Sequence, residues 1–183
     1  MKIVLATSLY PPEIGGPATY AKELCERLNR EHTITVVAYT DNGQPLAGVK
    51  LSAVKKSGIL PLRLIKYFLA VWQASKNADL IYVQNAMAAG FPVVMVSILK
   101  HKPFVLKFVG DEAWERASQH RLTEKRLEEF LAKPEGNCKI RMMMKIQGFV
   151  LRRATLVTTP SIYLRQEIIK AYQIDPPRVV VNY

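Results

Sequence analysis

Residues 1–17, Met-Lys-Ile-Val-Leu-Ala-Thr-Ser-Leu-Tyr-Pro-Pro-Glu-Ile-Gly-Gly-Pro, decide how the rest of the chain is read. Lys2 to Ser8 is a β-branched-rich run without polar alternation, the pattern of a strand buried on both faces. Tyr10 to Pro17 is a turn, rich in proline and glycine. From Ala18 to Arg30, Ala21, Leu24 and Leu28 recur at helical spacing. A buried strand, a tight turn and an amphipathic helix make the first half of a βαβ unit.

The same alternation continues outward. Thr33 to Thr40 and Val49 to Val54 read as strands, with turn residues and no periodicity across Asp41 to Gly48. Leu62 to Lys76 is an amphipathic helix with Leu64, Ile65, Phe68, Leu69, Val71 and Trp72 on one face. Arg63, Lys66 and Gln73 lie on the other. A strand at Asp79 to Gln84, a helix at Ala88 to His101 and a strand at Phe104 to Val109 come next. Thr155 to Thr159 and Arg178 to Val181 are strands flanking a helix at Ile162 to Tyr172. The order predicts an α/β fold, a Rossmann-like three-layer domain with a mostly parallel sheet and helices on both faces. Between Asp111 and Arg153 there are 43 residues without a strand, more than a simple crossover needs. That stretch is expected to be a helical insertion or mobile flap, followed by a helix from about Asn137. Ligands of open α/β sheets bind beyond the carboxyl ends of the strands, so an insertion after Gly110 and Asp111 borders the expected site.

The 183 residues suffice for one domain with a core, and 49% hydrophobic with 22% charged residues is ordinary for a globular chain. The weakly polar run Ala86 to Leu99 is 14 residues, against about 20 for a membrane span. The apolar amino terminus is too short for a signal peptide, so the expected compartment is the cytoplasm. Cys25 and Cys138 form no disulfide or zinc framework, and His32, His101 and His120 have no metal-ligand spacing. A net charge of +11 implies an anionic partner: phosphate esters, nucleic acid or acidic lipid. Nucleic acid is disfavoured, because no Lys/Arg tract, aromatic platform or reader motif accompanies the charge. Lys139 to Arg153 holds five basic residues and no acidic one. Arg141, Lys145 and Arg152 fall within about 40° of each other at 100° per residue. Such a helix fits an anionic membrane surface, with the protein peripheral at the inner face. It also fits a core helix with one wet stripe, the reading that its wide apolar coverage favours.

Gly15 and Gly16 let the backbone approach a ligand closely, and the following helix offers unpaired N–H groups at its positive end. The combination suits an anion such as a diphosphate, and also suits a plain turn needing flexible residues. The spacing is neither G-x-G-x-x-G nor a P-loop, which disfavours nicotinamide cofactors and ATP.

Pro11-Pro12-x-x-Gly15-Gly16 after a first strand, followed by Ala18-Thr-Tyr-Ala-Lys-Glu-Leu24, resembles the opening of family 4 retaining glycosyltransferases of the GT-B fold. Thr158-Thr-Pro-Ser161, a helix, then Pro177-Arg-Val-Val-Val-Asn182 is similar to that family's inter-domain junction. The resemblance covers essentially the whole chain, as the N-terminal, acceptor-side domain. It implies that Gly15 and Gly16 lie against the donor diphosphate or the acceptor. The exit Gly110-Asp111-Glu112 matches the place where many members carry His-Asp or His-Gly, with the histidine touching the donor sugar. Here Gly110 aligns with that histidine and Asp111 follows, so Asp111 is the catalytic candidate, with helix capping as its other reading. Gly110 and Glu112 join it as candidate binding residues, and Glu13 and Tyr10 are expected to face the same crevice as acceptor contacts. The resemblance further implies a C-terminal Rossmann-like domain beyond Tyr183 holding most of the donor, and a fragment inactive by itself. The expected partners are that domain, a nucleotide-diphosphate sugar and a glycan or lipid-linked acceptor. No cofactor is expected, and no metal, since no Asp-x-Asp occurs. A reading from a different class is a non-catalytic module that docks on an anionic membrane surface or on a separately encoded catalytic half.

Overall fold

The computed structural model describes residues 1–183. Seven strands form one sheet: β1 (Lys2–Thr7), β2 (Thr33–Tyr39), β3 (Lys50–Val54), β4 (Leu80–Val83), β5 (Phe104–Lys107), β6 (Leu156–Thr159) and β7 (Val179–Val181). Their order is β3-β2-β1-β4-β5-β6-β7 and every adjacent pair is parallel. The chain winds one way from β1 and the other way from β4, so the order reverses between them. The loops leaving β1 and β4 therefore diverge and open a crevice at the carboxyl edge.

Seven helices connect or follow the strands: α1 (Gly16–Leu28), α2 (Leu60–Ala74), α3 (Gly90–Lys100), α4 (Glu112–Gln119), α5 (Leu127–Ala132), α6 (Cys138–Arg153) and α7 (Ile162–Tyr172). They cover both faces of the sheet, as the sequence pattern predicted, but unevenly. Neighbour-to-neighbour packing runs α2–α3–α6–α7 across one face, with α4 against α6, while α1 covers the other face, packing against β1 and β2 and reaching β4 and β5 through Tyr20. The core follows the same division. A cluster of 33 buried residues lies between the sheet and that helical layer, and a cluster of eight lies under α1. Alternation along β1 shows the split, because Val4 and Ala6 join the larger cluster and Leu5 the smaller.

α2 is fixed by Tyr67, whose buried hydroxyl shares its one proton between the carbonyls of Thr7 (3.0 Å) and Val37 (2.9 Å). The 111–153 stretch is helical throughout its longer segments and folds into the main core through Ala113, Phe130, Ile140 and Leu151. The side chain of Asn137 caps α6 by accepting from the N–H of Ile140 at 3.2 Å. Within α6 Ile140, Gln147, Gly148, Val150 and Leu151 are buried, so it is the core helix with a wet stripe rather than a surface helix.

Candidate functional site

The crevice at the carboxyl edge is assembled from the loops after β1, β4 and β5. Side chains tie the first two together. Thr7 Oγ1 donates to Gln84 Oε1 at 2.9 Å, and Asn85 Nδ2 donates to Ser8 Oγ. Glu112, at the start of α4, joins the third by accepting from the N–H groups of Ala86 and Met87, both at 3.1 Å. Burial raises the pKa of Glu112, the two N–H bonds pull it back, and the nearby Glu115 and Asp111 carboxylates raise it further.

Gly15 and Gly16 stand at the mouth of this crevice. The N–H groups of Ala18 and Thr19 both turn back to the Gly15 carbonyl, at 3.0 and 3.1 Å, whereas the Gly16 N–H has no main-chain acceptor. The two glycines differ in what surrounds them. A methyl group on Gly15 would lie 2.5 Å from Leu9 Cδ2, and one on Gly16 would meet nothing within 4 Å. A side chain at Gly15 would therefore have to displace Leu9, whereas the space beside Gly16 is open. Glu13, in the same loop, is ion-paired with Lys56 after β3.

Tyr10 does not face the crevice. Its ring is fully buried in the small core with Ala21 and Cys25, because the turn folds back beneath α1. Asp111 is also fully buried. Its Oδ1 accepts from the Trp114 N–H at 2.8 Å, which is the N-cap of α4, and its Oδ2 accepts from the Tyr172 hydroxyl. Gln147 Nε2 completes this buried chain by donating to Tyr172 at 3.0 Å. Gly110 leaves room for the Glu115 carboxylate, which a side chain at 110 would strike. Gly15, Gly16, Glu13, Gly110 and Glu112 thus line the carboxyl-edge loops, and Tyr10 and Asp111 support them from inside.

Glu115 was not singled out from the sequence. It is the exposed carboxylate of the α4 first turns, four residues after Asp111, and that i,i+4 spacing was the available signal. Partial loss of its solvent shell, then the Asp111 charge, raises its pKa. A second missed group lies on the α1 side of the sheet. The Lys107 ammonium sits 2.9 Å from the centre of the Tyr20 ring, and the Tyr20 and Tyr82 hydroxyls are 3.1 Å apart. Burial, with the Tyr20 hydroxyl bonded to it, raises the Tyr82 pKa. Strand alternation placed Tyr82 and Lys107 on one face, but only pairing of β4 with β5 brought them together. Lys107 adds a cation one turn along α1 from Gly16. A cavity of about 490 Å³ lies at the opposite, amino edge near Lys2, Lys50 and Lys76, away from this crevice. No cluster of three or more His, Cys, Asp or Glu side chains is placed to hold a metal ion.

The family model described as "Glycosyl transferase 4-like domain" matches residues 15–183. No curated protein matches the chain. Among solved structures, Anabaena HepE in complex with UDP and glucose is similar at 17% identity and a TM-score of 0.69, over 100% of this chain and 44% of that one. WaaG, a glycosyltransferase involved in lipopolysaccharide biosynthesis, is similar at 19% identity and a TM-score of 0.62, over 98% of this chain and 44% of that one. UDP-GlcNAc 2-epimerase from Methanocaldococcus jannaschii is similar at 10% identity and a TM-score of 0.62, over 99% of this chain and 45% of that one. The chain spans less than half of each of these proteins. At such identities the likeness establishes the fold, shared by transferases and an epimerase alike.

Proposed function

This chain belongs to the glycosyl transferase 4-like domain family, and from that premise we propose that it is the acceptor-side lobe of a retaining glycosyltransferase using a nucleotide-diphosphate sugar. Its acceptor in this reading is a glycan or a lipid-linked sugar, and the donor is held chiefly by a second Rossmann-like lobe. The observation that carries the reading is the open approach to Gly16, whose N–H lacks a main-chain acceptor at the switch point between β1 and β4. That N–H and the positive end of α1 suit the diphosphate, whose charge grows as its bond to sugar C1 breaks and an acceptor oxygen replaces it. The Lys107 ammonium supports the same charge from the α1 side. Asp111 acts by position, fixing the first turn of α4, so that Glu112 holds the 84–87 loop and Glu115 is left to accept from a sugar hydroxyl. HepE, described in complex with UDP and glucose, lends support to a uridine diphosphate sugar as the first donor to try.

The test is a screen of the full-length protein against UDP- and GDP-sugars with glycan and lipid-linked acceptors, following nucleotide release and the anomeric configuration of the product. Nucleotide released with the donor configuration preserved supports the reading. An inverted product or a donor epimerised at C2 would overturn it. The chain by itself should release no nucleotide, because donor and acceptor must share one cleft. The competing reading, a docking module, gains if no donor is consumed by the full-length protein.

A further inference from the structure

The face of α2 and α3 turned away from the sheet carries a pattern that the transfer reading leaves unused. Leu62, Ile65, Leu69 and Trp72 recur along α2 within about 80° of arc at 100° per residue. All four are exposed, Ile65 at 54%. Ile98 and Leu99 on the adjoining α3 extend the strip, Leu99 at 57% exposure. Contiguous apolar surface of this kind marks an interaction site.

The cations around the strip indicate what it meets. From Asn42 to Gly110 the chain holds nine Lys or Arg and a single acidic residue, Asp79. Lys55, Lys66 and Lys76 flank α2 and have no carboxylate partner, since the ion pairs of the molecule lie at Lys22, Lys56 and Lys125. The Lys100 ammonium sits 4.3 Å from the centre of the Trp72 ring, at the end where the two helices finish. Desolvation, then the charges of Lys102 and Lys76, lower its pKa. A groove of about 350 Å³ lined by Lys55, Lys66, Leu69 and Gln73 runs along the β3 side of the strip. Neither helix has an acidic side chain, so pairing of this face with a second copy would set cation against cation.

We propose that the α2–α3 face docks on an anionic lipid surface, its apolar strip entering the headgroup layer and the flanking lysines contacting lipid phosphates. The strip begins at Ile59 and Leu60, beside the Lys56–Glu13 pair at the crevice rim, so docking would hold the crevice against the surface. The assignment differs from the one the sequence suggested for α6, whose apolar side is consumed by the core. It stands independently of the transfer reading, because vesicle binding and sugar transfer are measured separately.

Co-sedimentation with vesicles of phosphatidylcholine alone, and of phosphatidylcholine with phosphatidylglycerol, tests it at low and high salt. The chain should pellet with the anionic vesicles at low salt, and be released by high salt or by omission of phosphatidylglycerol. Ile65→Glu/Leu69→Glu should weaken binding by about tenfold or more, with an unchanged circular dichroism melt because both sites are exposed. Lys66→Glu/Lys76→Glu should weaken it comparably without touching the apolar strip, while Arg141→Glu/Lys145→Glu on α6 should leave it unchanged. Failure of the parent chain to pellet with anionic vesicles at low salt would overturn the proposal. So would wild-type binding by both α2 variants, or a dimer broken by Ile65→Glu/Leu69→Glu in a chain that ignores vesicles.

Discussion

The hydroxyl of Tyr172, at the end of α7, donates to Oδ2 of Asp111, the N-cap of α4, 61 positions away in sequence. With Gln147 of α6 as the third member, the bond ties three helices together beneath the crevice. Replacing Asp111 by Ala removes a cap and leaves the buried Tyr172 hydroxyl with one partner fewer. We expect a loss of about 3 kcal/mol in denaturant unfolding. Asp111→Asn keeps the capping oxygen and should lose less. Wild-type stability for Asp111→Ala would show that the network does not hold the helices.

The two glycines should separate stability from ligand approach. Gly16→Ala places its methyl in open space and should shift unfolding by no more than about 0.5 kcal/mol. On the proposed transfer reading the same methyl obstructs the diphosphate, and turnover by the full-length protein should fall by about tenfold to a hundredfold. A fully active Gly16→Ala enzyme would remove that glycine from the site.

Glu112 makes stability depend on pH in a stated direction. Its pKa is raised in the folded protein, so across the window from the unfolded value up to the folded one the native state binds more protons. Stability from this group is therefore fully present below the unfolded pKa and declines as pH rises through the folded one. Thermal melts of the parent and Glu112→Gln between about pH 4 and pH 7 should show the difference moving in favour of the variant as pH rises. A constant difference would mean that the loop N–H bonds fully offset burial.

The two cysteines should react very differently. Cys25 is fully buried, and burial, then the neighbouring Glu26 charge, pushes its thiol up to about 11. Cys138 is exposed at the start of α6. Ellman's reagent at about pH 8 should titrate one thiol in the native chain and two after unfolding. Two fast thiols in the native chain would show that α1 opens readily.

By itself the sequence determined the kind and order of the elements and the parallel winding of the sheet. Helical periodicity and unbroken apolar runs are local properties, visible in Leu62–Trp72 and in Ile3–Ala6 respectively. The turn at Gly15-Gly16 was legible for the same reason, since glycine and proline report local backbone geometry. Tertiary structure decided which side chains meet. Tyr10 and Asp111 read as crevice residues from their neighbours in sequence, yet both are buried, Asp111 by a hydroxyl 61 positions away. Only strand pairing brought Lys107 and Tyr82 beneath Tyr20. The helical layer that buries α6 and exposes α2 follows from crossovers that place every helix but α1 on one face, and no local pattern encodes that.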